Sequence, residues 1–238
     1  MDCASVSTLV AGHLLSNGSG VASGMMDDVL DSLLYSQLYA DQKVKKFDVP
    51  ASWFSRFDDA IKVVKWTLSE HQRDAFEPKD NAQITVAALI EEFLLNRLPA
   101  TQAAAVKSMI DCMAGLPEAE AASIVCHQHI LQRATDAAGP STMVLQVSAL
   151  RQETQLSSLS VSFSTTCTVG ADPFRQIFPG NSIVGEVDVR FARHDWDYSG
   201  YQSVRDKVLG VVAGKRKGLI LPISCKAPAG ESEGGEPA

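Results

Sequence analysis

Residues 158–168 read Ser-Leu-Ser-Val-Ser-Phe-Ser-Thr-Thr-Cys-Thr, eleven positions without a charge. Leu159, Val161, Phe163, Thr165 and Cys167 fall on one side of a period-two pattern. Ser158, Ser160, Ser162, Ser164, Thr166 and Thr168 fall on the other. Only a strand sorts side chains this way, and a strand this long and half apolar needs a sheet around it. A second run supplies a neighbour: Ile183, Gly185, Val187, Val189 and Phe191 alternate with Val184, Glu186, Asp188 and Arg190. Phe178-Pro179-Gly180-Asn181 is a turn, Met143, Leu145 and Val147 alternate upstream, and Gly218–Ser224 reads as a short last strand. Tyr201–Val212 suits either helix or strand. The alternation by itself predicts antiparallel strands with one face covered and the other polar.

The first half of the chain has a different period. Met26, Val29, Leu30, Leu33 and Leu34 form one helical stripe, with Asp27, Asp28 and Asp31 near its start, where carboxylates suit the helix dipole. Phe54, Phe57, Ile61, Val64 and Leu68 form a second after Pro50. Val86, Leu89, Ile90, Phe93 and Leu94 form a third, Val106, Met109, Ile110 and Met113 a fourth, and Ala121, Ile124, Val125 and Leu131 a fifth. Helices first and strands second predict an α+β fold: a single domain of helical hairpins packed on a C-terminal antiparallel sheet. The expected organisation is a flexible Ser/Gly-rich arm over 1–24, a domain over 25–226 and a disordered acidic tail over 227–238. Within the domain, 25–136 form the helical layers and 141–226 the sheet.

Other features narrow the function. The net charge is −7, from 21 basic and 28 acidic residues, and no strongly basic face predicts nucleic-acid binding. Five cysteines without regular spacing predict buried, reduced thiols. The start of the chain has no Lys or Arg before Lys43 and no recognisable signal peptide, so synthesis in soluble form is expected. Cys126 and His129 lie one helical turn apart, but two ligands do not make a structural zinc site. His194-Asp195-Trp196-Asp197 places an imidazole among carboxylates, yet no Gly-x-Ser-x-Gly elbow accompanies it, and Gly214–Gly218 is a basic turn rather than a Walker motif. No catalytic residue, metal or cofactor is therefore predicted.

Eleven residues at about 3.3 Å each reach ~36 Å, enough to cross a bilayer as a tilted strand. One apolar and one uncharged polar face is the pattern such a strand needs. Leu159, Val161, Phe163, Ile183, Val187, Val189 and Phe191 are the candidate lipid-facing positions. Lys215, Arg216 and Lys217, read as a hairpin tip, are candidates for headgroup contact. The stretch Val49-Pro50-Ala51-Ser52-Trp53, followed by Phe57 and Ala60, resembles a pattern of the Cyt-type cytolytic toxins and the fungal volvatoxins. The order of elements over roughly 26–225 is similar to theirs. That resemblance implies helical hairpins around an antiparallel sheet, and a soluble cytolysin whose helices part from the sheet at a membrane. It also implies extracellular release, membrane lipids as partner and homo-oligomers on the target membrane. The arm over 1–24 shows no obvious strand, which departs from that pattern. A soluble, non-enzymatic binding or inhibitor module is the rival expectation, and an unrecognised hydrolase a third.

Overall fold

The computed structural model describes residues 7–17, 23–134 and 139–224. In chain order the elements begin with β1 (Ser7–Val10), β2 (His13–Asn17), α1 (Ser23–Lys43), α2 (Pro50–Val63), β3 (Trp66–Phe76), β4 (Gln83–Ile84) and α3 (Val86–Phe93). Next come α4 (Ala100–Ala114), α5 (Ala121–Ile130), β5 (Leu131–Gln132), β6 (Ser141–Arg151), β7 (Gln155–Thr165) and β8 (Phe178–Pro179). The chain continues through β9 (Ile183–Trp196), α6 (Tyr198–Tyr201), α7 (Arg205–Val212), α8 (Arg216–Leu219) and β10 (Ile220–Ile223). The fold is α+β, a helix-covered sheet.

The main sheet runs β10-β1-β2-β6-β7-β9-β3, with β5 paired to β6, while β4 and β8 form a separate small ladder. Its pairs are antiparallel except β2 with β6, which run parallel, so the sheet is mixed rather than purely antiparallel.

Three expectations are corrected. The first concerns the arm over 1–24. Within it, 7–17 form two buried strands near the middle of the sheet, and the rest lies outside the described residues except for the start of α1. The physical reason is plain in the residues. Ser7-Thr8-Leu9-Val10 and His13-Leu14-Leu15-Ser16 pair across Ala11-Gly12, a hairpin whose turn residue Ala11 takes φ 52°. Gly12 is required there, since a Cβ would stand 2.8 Å from the His129 carbonyl oxygen. The second correction concerns the helix of α2, which stops at Val63 instead of continuing to Leu68. Lys65 turns left-handed at φ 70°, and Trp66 opens β3 by stacking on Trp196 at 4.9 Å. The third concerns the division into helical layers over 25–136 and sheet over 141–226: β3 lies within the first, and α7, with Val208 and Val212 buried against α1, within the second. The predicted tail over 227–238 lies outside the described residues.

The helices stand where their local chemistry permits. Pro50 occupies the first turn of α2, where its missing N–H costs nothing, and Trp53, Phe54, Phe57, Ala60 and Ile61 make its buried stripe. Thr85 caps α3 by accepting from the Ala88 N–H at 3.1 Å. The two helical groups lie on opposite faces of the sheet. α3, α4 and α5 share one core with the apolar residues of β7 and β9. α1, α2 and α7 share a second core with Val144, Leu150, Leu156, Trp66 and Trp196. Both faces are thus covered, and the expectation of a single covered face is corrected.

Candidate functional site: the two faces of the central strands

β6, β7 and β9 lie side by side, and their register separates two chemistries. On the first face Leu159 pairs with Phe191 and Val161 with Val189. Leu159, Val161, Phe163, Val187, Val189 and Phe191 are all buried, under Val86, Leu89 and Ile90 of α3, Met109 and Met113 of α4 and Ile130 of α5. Phe163 meets Phe178 edge-on at 5.1 Å. Ile183, the remaining lipid-facing candidate, is only partly buried at the margin of this core. At the sheet edge, Arg97 closes the face by lying over the Phe191 ring at 4.6 Å and pairing with Glu70 at 3.2 Å.

The second face carries the hydroxyls. Thr142 pairs with Ser164, Gln146 with Ser160 and Ser148 with Ser158 across β6 and β7. Their side chains bond along the same line, Thr142 to Ser164 at 3.0 Å, Gln146 to Ser160 at 3.4 Å and Ser148 to Ser158 at 2.7 Å. Ser158, Ser160 and Ser162 are buried, because α2 lies across them. Phe54 of α2 receives the Arg190 guanidinium at 5.2 Å, and Phe57 stands edge-on to His13 at 6.2 Å. Arg190 and Arg73 both bind Asp188, at 2.7 and 3.0 Å. A hydroxyl-lined strand face covered by helices satisfies its polar groups internally, as buried polar groups require.

Two buried histidines lie on this face. His13 Nε2 contacts the Ser148 hydroxyl at 2.6 Å, while its Nδ1 has no partner. His194, opposite Leu156, also has an unpartnered Nδ1. Burial, aided by the Lys46 charge, holds the His13 imidazole near pKa 3. Burial, with Lys62 beside it, holds His194 near 4. His194 therefore sits sealed in an interface. His13 was missed because residues 1–24 read as an arm, although the alternation around Ala11-Gly12 was available as a signal.

The Val-Pro motif splits. Trp53, Phe57 and Ala60 are buried, Pro50 begins α2, and Val49 is exposed. Trp53 donates to Asp41 at 2.7 Å and receives the buried Lys46 ammonium over its ring at 4.5 Å. Lys46 also donates to the His129 carbonyl at 2.8 Å. Burial pushes the Cys126 thiol up to about 12, leaving it without thiolate character at neutral pH.

The basic turn is corrected as well. Residues 215–217 enter the short helix α8 instead of a hairpin tip. Arg216 is occupied, bonding Asp31 at 2.8 Å and Asp27 at 2.5 Å. Lys215 and Lys217 are exposed and form no ion pair among the described residues. The expectation of five reduced thiols also fails. Cys126 and Cys167 are free, but Cys112 is disulfide-bonded. Among the described residues, no group of three His, Cys, Asp or Glu side chains is placed to hold a metal ion.

No protein-family model matches the chain, and no curated protein does. Among the solved structures that match, two are similar to it over most of its length. One is titled "delta-endotoxin" and matches at a TM-score of 0.43 with 8% identity, over 79% of this chain and 81% of that one. The other, titled "Structure of the Evf virulence factor", matches at a TM-score of 0.37 with 8% identity, over 87% and 84%. Both are similarities of overall layout, and neither assigns a residue or an activity to this chain.

Proposed function

We propose that this protein damages membranes, and that it does so by letting its helical layers part from β6, β7 and β9. The reading rests on one observation: these neighbouring strands present a continuous apolar face and a face rich in hydroxyls, each hidden largely by helices. β7 has eleven residues and β9 fourteen, so at about 3.3 Å per residue both are long enough to span a bilayer. With the helices displaced, Leu159, Val161, Phe163, Val187, Val189 and Phe191 would face lipid, and Ser158, Ser160, Ser162 and Arg190 would face water. No helix among the described residues is long and apolar enough to cross a membrane, so any spanning falls to the strands.

First contact is assigned to the α1–α7 side. Residues 205–217 hold five basic residues and one acidic, whereas 86–130 hold two and five. Lys207, Val211 and Lys215 form one exposed stripe beside Tyr35 and Tyr39 of α1, a mixture suited to an anionic headgroup layer. Assembly of several copies on the membrane belongs to the same proposal.

A groove of about 430 Å³ between β3 and α3, lined by Phe76, Ile84, Leu89, Phe93, Asp74 and Glu92, supports the rival reading of a soluble binding module. Dye release from vesicles of mixed neutral and anionic phospholipid separates the two. The proposal predicts release, reduced at least tenfold when Lys207, Lys215 and Lys217 are all changed to Glu. Absence of both release and vesicle binding by the folded protein would favour the binding module.

A further inference from the structure

We propose that α2 is an acid-released cover: protonation of His13 and His194, buried on the sheet face that this helix covers, drives α2 off the hydroxyl face while α3 and α4 stay in place. The proposal concerns the regulation of the layer opening described above, but its geometry stands without any membrane.

Each imidazole is closed in and lacks an acceptor for a second proton. Ser148 passes its own proton to Ser158, so the His13 ring donates to Ser148 through Nε2 and leaves Nδ1 bare. Phe57 of α2 closes the ring from above, and the nearest charge is the Lys46 ammonium, itself buried and held by Trp53 and the His129 carbonyl. A proton on Nδ1 would place a second cation beside the first with no carboxylate in contact. Asp41, which faces Lys46, is already bonded to Trp53.

His194 is enclosed in the same manner at the other end of α2. Lys62 of α2 and His71 of β3 repel a charge on it, and Asp195 of its own strand attracts one. Asp195 is engaged by Gln155 at 3.0 Å. Asp58 of α2 is the one carboxylate of that helix turned toward this corner, where Lys62, Arg190 and His71 surround it. Burial raises its pKa, so Asp58 takes up a proton in acid while α2 is still seated.

The sign follows from linkage. A histidine whose folded pKa lies below its unfolded value binds protons preferentially when released, so stability is lost as pH falls through that interval. For pKa values of about 3 and 4 against 6.5, the interval runs from pH 6.5 downward. With those values, at pH 5 each imidazole raises the opening constant about twentyfold relative to pH 7. Asp58 opposes this, because a raised carboxylate pKa favours the closed state in acid. Asp31 behaves like Asp58, with a pKa near 6 from burial, and steadies α1 against α8 rather than α2 against the sheet. On the other face, α5 carries His129, whose imidazole is also held below its usual value by burial and by Lys46, so the comparison with α2 is drawn on α3 and α4, which hold no histidine.

Hydrogen exchange of the full chain at pH 7 and pH 5, corrected for intrinsic rates, tests this without lipid. Peptides of α2 should lose protection at least tenfold more than peptides of α3 and α4. His194→Gln should reduce that difference by about tenfold while keeping the pH 7 protection pattern. His13 is tested by the NMR titration of its ring protons in the unmodified protein, since its replacement could disturb the Ser148 contact. Both imidazoles should remain neutral in the folded form down to below pH 5. Equal loss of protection in the two layers, or an imidazole titrating near 6.5 in the folded protein, would overturn the proposal. Acid-released α2 in a protein that never leaks vesicles would uphold the switch and remove the membrane function.

Discussion

The two helical layers cover the same strands by opposite means. α3–α5 meet Leu159, Val161, Phe163, Val189 and Phe191, and nothing in that contact carries charge or a hydrogen-bond requirement. α2 covers a face that carries serines, Gln146, His13, His194 and the Asp188–Arg190 pair, and touches it through Phe57 on His13 and Phe54 under Arg190. The first layer is held by exclusion of water, which lipid can replace but acid and salt barely alter. The second is held by aromatic packing over a polar network in which Nδ1 of both histidines has no partner, which proton uptake can break. One sheet therefore has a cover that answers to lipid and a cover that answers to pH.

The largest expected effect tests the anchor of the second cover. Phe57→Ala should cost about 3–5 kcal/mol, because the ring is fully packed between His13 and Trp53. An unchanged unfolding midpoint in urea would show that α2 is held by its polar contacts alone. The comparison sharpens at two adjacent positions of β7. Leu159→Ala should cost about 2–5 kcal/mol from lost packing and the cavity it leaves. Ser158→Ala removes one hydroxyl from a chain of bonds and should cost about 1 kcal/mol. Equal costs, measured by urea denaturation at pH 7, would mean that the faces do not differ as described.

How much of this was legible in the sequence depends on how each strand is buried. β7 and β9 could be read directly, because their two faces carry different residue types even though both are covered. The second cover could not, since a serine under a helix and a serine in water leave the same letter. β3 was hidden for the opposite reason. As an exposed edge strand, Trp66–Phe76 has charges on both faces, and the apparent helical spacing of Val64 and Leu68 overrode it. β1 and β2 were too short to outweigh the Ser/Gly composition around them. Of the apolar candidates, all but Ile183 share one buried face, and Ile183 lies at its margin. Arg216 was misplaced because its carboxylate partners, Asp27 and Asp31, lie on α1 at the far end of the chain.

The central claim is that the two faces of β7 become, respectively, lipid-facing and water-facing. It is tested most directly with an environment-sensitive probe attached through a single introduced cysteine at Ser162 or at Phe163. The probes belong in separate folded variants in which every cysteine that reacts in the native protein, Cys126 and Cys167 among the described residues, is replaced by alanine. Both sites are buried in the protein alone, so neither probe should be quenched before vesicles are added. On permeabilised vesicles the probe at 163 should be reached by lipid-phase quenchers, and the probe at 162 by aqueous ones. Two probes that stay shielded while the vesicles leak would contradict the account, because the membrane would then be breached without these strands.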